Sequence, residues 1–215
     1  MLHENTDKLL SLFDRPRLIG LISDANQGKS NLLYWTIKSL SDRYNFRLYS
    51  YGLRARVANE MKIYSVEELE VLHDSVIIID EFASLFDVDD RKEKKQIEKT
   101  LRLIFHKNNV VLLSGLPENF KKFIASKLDA MIFKRCALKD AINGSRVKQV
   151  MYGFEGEEMG AAMLNIDIGD AVMYRPDEPP YFHHVTIPLV PEFDTKAGNV
   201  SILVPKNVKK TSEKK

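Results

Sequence analysis

One cysteine, Cys136, is all that this chain of 215 residues has. A lone thiol excludes an internal disulfide and a cysteine-built zinc site. Long apolar runs are missing too: none approaches the roughly 18 residues that a membrane-spanning helix requires. The N-terminus, Met1-Leu2-His3-Glu4-Asn5, lacks the basic-then-apolar order of a secretion signal, so an intracellular setting is expected. Nor is there a charge imbalance. Thirty-two basic and 30 acidic residues leave a net charge of +2, which neither demands nor excludes a nucleic-acid partner. What is present, 44% hydrophobic and 29% charged residues, is the composition of a soluble globular protein. The length suits one domain with room for a substantial core.

The apolar segments alternate in kind. Short, nearly continuous runs at 17–23, 46–51, 76–79, 110–113 and 130–133 read as strands, and continuous runs suit parallel strands buried on both faces. Periodic segments at 29–44, 65–73, 90–107 and 117–128 read as helices. Leu33, Ile37 and Leu40 mark the buried stripe of the first, and Ile97, Leu101, Ile104 and Phe105 that of the third. A short helix with Leu9, Leu10 and Phe13 on one face comes before them, stopped by Asp14-Arg15-Pro16. Late in the chain, 159–164 reads as helical, and a strand at 171–174 is a candidate to pair with 181–185. Prolines at 176, 179, 180, 188, 191 and 205 make the end loop-rich. Strands alternating with helices argue for a parallel sheet covered on both faces.

One loop in this pattern carries chemistry. Ser23-Asp24-Ala25-Asn26-Gln27-Gly28-Lys29-Ser30, followed by Asn31, matches the phosphate-loop pattern G-x-x-x-x-G-K-[ST] except at its first glycine, which is Ser23. It follows a buried strand and opens a helix, so its backbone N–H groups and the helix N-terminus would face phosphate oxygens. Gly28 allows close backbone approach, Lys29 would reach the outer phosphates, and the Ser30 hydroxyl would hold Mg²⁺. A second strand, of three isoleucines, ends in Asp80-Glu81. Ligands of open parallel sheets sit beyond the carboxyl ends of the strands. Asp80 is thereby placed to touch Mg²⁺, and Glu81 to orient or deprotonate the attacking water. Two carboxylates favour hydrolysis over simple binding. The absence of an Asn-Lys-x-Asp guanine-reading motif favours ATP over GTP.

The expected fold is therefore α/β: a three-layer P-loop NTPase with a mostly parallel central sheet. A short N-terminal helix (1–16) precedes the ATPase core (17–175). A Pro-rich extension (176–205) and a basic tail (206–215), expected to be disordered, follow it. Ser114, at the end of the strand after the carboxylate strand, is either a sensor of the γ-phosphate or a plain strand-to-turn residue. Arg102, Arg135 and Arg146 are candidates for an arginine reaching into a neighbouring subunit's site, and the sequence does not choose among them. Lys92, Lys94, Lys95 and Lys99, partly offset by Glu93 and Glu98, read as a solvated helix face. Lys121, Lys122 and Lys127, like the lysines of the tail, could meet phosphates in a salt-dependent way. None has the interleaved aromatics of a single-strand platform.

The order of these segments resembles the FtsK–HerA group of P-loop ATPases. The resemblance rests on the phosphate loop, the strand ending in Asp80-Glu81, and the run from His106 into Ser114. It rests also on 127–135, similar to that group's subunit-interface strand, and on 168–174, similar to its closing strand. The size is most like the small genome-packaging ATPases of tailless, internal-membrane phages of the tectivirus type. The resemblance implies ATP and Mg²⁺ as ligands, double-stranded DNA as the partner, and a homo-oligomeric ring, commonly a hexamer. It also implies contact with capsid-vertex or virion membrane proteins, in the host cytoplasm or the virion. A pump for conjugation or chromosome handling, and a nucleotide-switched assembly protein that moves nothing, are the alternatives. Two departures from the group are Ser23 and the lack of a sensor glutamine near Ser114-Gly115.

Overall fold

The structure, a computed structural model, describes residues 2–54, 57, 59–87, 90, 93–136, 166–179 and 181–190. The helix expected at 159–164, the extension beyond 190 and the basic tail lie outside these residues.

Eight strands form one sheet in the order β3-β2-β4-β5-β1-β6-β7-β8. They are β1 (Arg17–Ile22), β2 (Arg47–Tyr51), β3 (Glu60–Lys62), β4 (Ser75–Ile79), β5 (Val110–Gly115), β6 (Ala130–Phe133), β7 (Asp170–Tyr174) and β8 (Phe182–Thr186). The first six pair in parallel, and β7 and β8 add an antiparallel hairpin at one edge. The phosphate-loop strand β1 lies between β5 and β6, and the carboxylate strand β4 sits on the far side of β5. Every residue of β1, β4, β5 and β6 is buried, as continuous apolar runs demand of strands covered on both faces.

The pleat sends alternate residues to two cores. Leu18, Ile22, Ile77, Ile79, Val111 and Leu113 face one side, where Leu69, Ile97, Leu101, Ile104 and Ile124 meet them from α3 (Val66–Leu69), α4 (Glu93–His106) and α5 (Lys122–Ala125). Ile19, Leu21, Ile78, Leu112 and Ile132 face the other, against α1 (Leu2–Leu10) and α2 (Lys29–Arg43). The result is the three-layer α/β architecture that the alternating pattern implies.

Three segments differ from the sequence reading. The helix expected over 117–128 is broken: a 3-10 turn at Pro117–Asn119 is followed by the single turn of α5. Phe120 and Lys121 leave helical geometry with ψ of 64° and 156°. The Phe120 ring is fully buried edge-on to Phe82, at 4.8 Å between centroids, so core packing outweighs the apolar periodicity here. The helix expected over 65–73 is only Val66–Leu69. Strand β3, three residues with half-buried and exposed side chains, has too little apolar pattern to be read from sequence.

Candidate functional site

The carboxyl ends of β1, β4 and β5 converge, and the loops leaving them build the site. Beyond β1 the phosphate loop stays tied to its neighbours. The Ser23 amide donates to Gly115 O at 3.3 Å and the Asp24 amide to Arg135 O at 3.1 Å. Asn26 and Gly28 adopt left-handed backbone at φ 59° and 78°, the two places where the loop reverses. Asparagine and glycine are the residues that enter this region most readily. Ser23 is not among the positive-φ residues, so a Cβ at the position of the missing glycine meets no backbone penalty. Its hydroxyl donates instead to Asp24 O at 2.8 Å. Ala25 and Asn26 are exposed at the loop's crest, and Gln27, Gly28 and Ser30 are half-buried.

Helix α2 starts at Lys29 with Gly28 as its N-cap and no side chain capping it. The unpaired N–H groups of a first helical turn and the positive end of the helix dipole are an anion-binding surface. Lys29 is buried and lies across the loop. Its Nζ is 3.5 Å from Ser23 O, 3.4 Å from Asp24 O and 3.3 Å from Glu81 Oε1. Lys29 and Glu81, 52 residues apart, thus meet across the mouth of the loop.

Strand β4 delivers the carboxylates. Glu81 is half-exposed and held in left-handed backbone, φ 50° and ψ 56°, a conformation that costs a non-glycine residue about 1–3 kcal/mol and concentrates at working sites. Asp80 is half-buried. Burial pushes its carboxyl pKa up, while the Ser114 hydrogen bond and Lys29 act in the opposite direction. The Ser114 hydroxyl donates to Asp80 Oδ1 and accepts the Glu81 amide at 3.4 Å. Ser114 is fully buried, so it is fixed beneath both acids rather than exposed at a turn.

Two supports were not singled out from sequence. Gly52, following β2 at φ 78°, lies against the carboxylate strand: a Cβ there would come within 2.4 Å of Asp80 O. Lys134, at the end of β6 and almost fully buried, donates from Nζ to Ile168 O at 2.6 Å and Asp170 O at 2.9 Å. A Cβ on Gly28 would lie 3.3 Å from the Lys134 Cε and 3.1 Å from Ile168 O. The phosphate loop is thus backed by the segment leading into β7. Asn31 reaches the same region: its side chain donates to Pro188 O at 3.2 Å and accepts the Val190 amide at 2.9 Å. A glycine after a strand was the available signal for Gly52; a lysine inside an apolar strand end was that for Lys134.

Of the candidate arginines, Arg135 is exposed beside the loop that its carbonyl supports. Arg102, with Leu18 and Asp129, lines a small cleft at the amino-terminal edge of β1, the far end from the phosphate loop. Arg146 lies outside the described residues.

No family model matches the chain, and no curated protein matches its sequence. Solved structures do match in shape. The genome packaging NTPase B204 of Sulfolobus turreted icosahedral virus 2, in complex with sulfate, superposes with a TM-score of 0.57 at 14% identity, over 80% of this chain and 97% of that one. The fold is that of the FtsK–HerA-type P-loop ATPases. The pCW3 conjugation coupling protein TcpA, with ATPγS, matches with a TM-score of 0.53 at 13% identity, over 81% of this chain and 60% of TcpA. The cytoplasmic domain of the type VII secretion ATPase EccC from Thermomonospora curvata gives 0.53 at 14% identity, over 84% of this chain and 26% of EccC. At these identities the likeness is one of fold. Among the described residues, no helix is long and apolar enough to cross a membrane.

Proposed function

We propose that this chain is an ATP-hydrolysing double-stranded DNA translocase that packages a viral genome into a preformed capsid. The observation that carries the hydrolytic part is the meeting of Lys29 and Glu81 at 3.3 Å over a phosphate loop whose helix N-terminus no side chain caps. In the nucleotide complex the Lys29 ammonium turns from the Ser23 and Asp24 carbonyls to the outer phosphates and neutralises their charge. The Glu81 carboxylate, released from Lys29, orients the attacking water and accepts its proton. Ser114 holds Asp80 and the Glu81 backbone in register with each other.

The donors at hand suit magnesium. Asp80 is a desolvated carboxylate and Ser30 a hydroxyl, an oxygen-only pair that leaves the remaining positions to phosphate and water. Bound with the nucleotide there, Mg²⁺ would polarise the γ-phosphate. An arginine from a neighbouring subunit completes the site in a ring, six subunits being the expected number; of the candidates among the described residues, Arg102 and Arg135 are both exposed. The DNA part rests on the fold shared with the genome packaging NTPase B204 and the conjugation coupling protein TcpA. The near-complete coverage of the small B204 chain favours packaging over conjugation.

The test is ATPase turnover with and without long double-stranded DNA, for wild type and Glu81→Gln. A DNA-stimulated rate that the substitution removes is the expected outcome. A rate indifferent to DNA would instead fit a nucleotide-switched assembly protein. Recovery of the chain from purified virions separates packaging from conjugative pumping.

A further inference from the structure

The end of the sheet opposite the phosphate loop holds a second concentration of buried charge. Arg17 opens β1, Arg15 precedes it by two residues, and Arg175 follows β7, so all three gather where the amino-terminal end of β1 meets the hairpin. They line a groove of about 830 Å³ beside Ser11, Asp177 and Glu178. Arg17 and Arg175 are only 4% and 6% exposed. Burial holds the Arg17 guanidinium below its ordinary pKa; Asp177 opposes this, while Arg15 and Arg175 add to it.

The three guanidiniums share too few acceptors. Arg17 Nη2 donates to Asp177 Oδ2 at 3.0 Å, and Arg15 donates to the same oxygen. Arg175 uses Nη1 on Ser11 Oγ at 3.1 Å and Nη2 on Glu178 Oε2 at 2.6 Å, with its Nε 3.7 Å from Asp177 Oδ1. Arg17 Nε, Arg17 Nη1 and Arg175 Nε have no acceptor among the described residues. A buried N–H without an acceptor is rare and destabilising. One planar carboxylate offers two oxygens. A phosphate group offers three or four, spread tetrahedrally and more highly charged, which is the ligand that several convergent guanidiniums serve best.

We propose that Arg15, Arg17 and Arg175 form a second oxyanion site, for a compact phosphate group, and that the Asp177 carboxylate is its internal occupant. Asp177 is 37% exposed and sits on the turn after β7, so it is positioned to swing outward when a phosphate enters. Asp7, Asp14 and Glu178 also line the groove and outnumber its one further cation, Lys8, which disfavours an extended polyanion such as duplex DNA and leaves free phosphate or a small phosphate ester as the class that fits. A purely structural role, tying the hairpin to the start of β1, would make the same contacts but bind no anion.

The experiment is a titration of the full chain with inorganic phosphate at constant ionic strength, read by NMR at the Arg17 and Arg175 Nε–H resonances, with the phosphate loop first saturated by a non-hydrolysable ATP analogue. Saturable shifts at both arginines are expected. Asp177→Asn removes the resident charge and is expected to tighten phosphate binding about tenfold; Arg15→Gln, at an exposed side chain, should weaken it about fivefold. Shifts that do not saturate, or affinities that neither substitution moves, overturn the site. A short DNA duplex that perturbs these resonances at lower concentration than phosphate overturns the compact-phosphate assignment. Because the readout sits on the arginines, failure of the analogue to bind at Gly28 and Lys29 would count against the ATPase reading alone.

Discussion

The Ser114 hydroxyl donates to the Asp80 carboxylate and accepts the backbone amide of Glu81. One buried side chain thereby ties together the two acids that β4 delivers. Ser114→Ala would remove the donor to a half-buried carboxylate that burial already pushes toward protonation. An unsatisfied group of this kind costs about 1–3 kcal/mol. Asp80 should therefore titrate higher in the metal-free variant than in metal-free wild type. An NMR titration of the Asp80 carboxyl in the two metal-free proteins checks this, with the midpoint of Ser114→Ala expected at higher pH.

Glu81 and Lys29 hold each other at 3.3 Å before phosphate arrives. Glu81→Gln keeps the size and removes the base. Turnover is expected to fall by about 10²–10⁴-fold, with nucleotide affinity unchanged or improved because Lys29 loses its competitor. Lys29→Met should instead abolish tight nucleotide binding. Equilibrium binding of a fluorescent ATP analogue, beside steady-state rates, separates the two effects.

The legibility of this chain followed the density of its pattern. Strands β1, β4, β5 and β6 were plain because both faces are buried and, apart from Arg17 at the start of β1, every position is apolar or small. The phosphate loop and Asp80-Glu81 were plain because they stand at the ends of such strands. Strand β3 was hidden, since three residues at a sheet edge carry no periodicity. The 117–128 segment misled because Phe120, Phe123 and Ile124 have helical spacing, yet the Phe120 ring is drawn into the core against Phe82. The fixing of Ser114 under both acids, and the backing of Gly28 by Lys134 and Ile168, depend on contacts between residues far apart in sequence. A one-dimensional pattern does not encode these.

Gly52 is a case where a single methyl group should be felt at the site. Its left-handed backbone, φ 78°, already disfavours any other residue, and a Cβ would meet Asp80 O at 2.4 Å. That neighbour is backbone, which cannot rotate away, and the Asp80 amide is bonded to Tyr51 O at 2.9 Å just beside it. Gly52→Ala is expected to destabilise the fold by about 1–3 kcal/mol. Urea unfolding should show a lower midpoint with an unchanged m-value.

Lys134 gives the protein a pH dependence of stability with a definite sign. Burial lowers its pKa from 10.5 to about 8, with Asp170 opposing the shift. In the unfolded chain the amine stays protonated up to its ordinary pKa, so between about 8 and 10.5 the unfolded state binds more protons than the folded one. Stability then rises with pH across that window, and the contribution is lost as pH falls through 8. Lys134→Met removes the titration along with the hydrogen bonds to Ile168 O and Asp170 O. The stability of wild type relative to this variant should therefore grow from pH 8 to pH 10, as read from urea midpoints at each pH. A difference that stays flat, or shrinks, would mean that the Lys134 amine is not desolvated behind the phosphate loop. Because Lys134 Cε lies against Gly28, the same substitution should also weaken binding of an ATP analogue, and Lys134→Arg, which keeps the charge but not the fit, should not restore it.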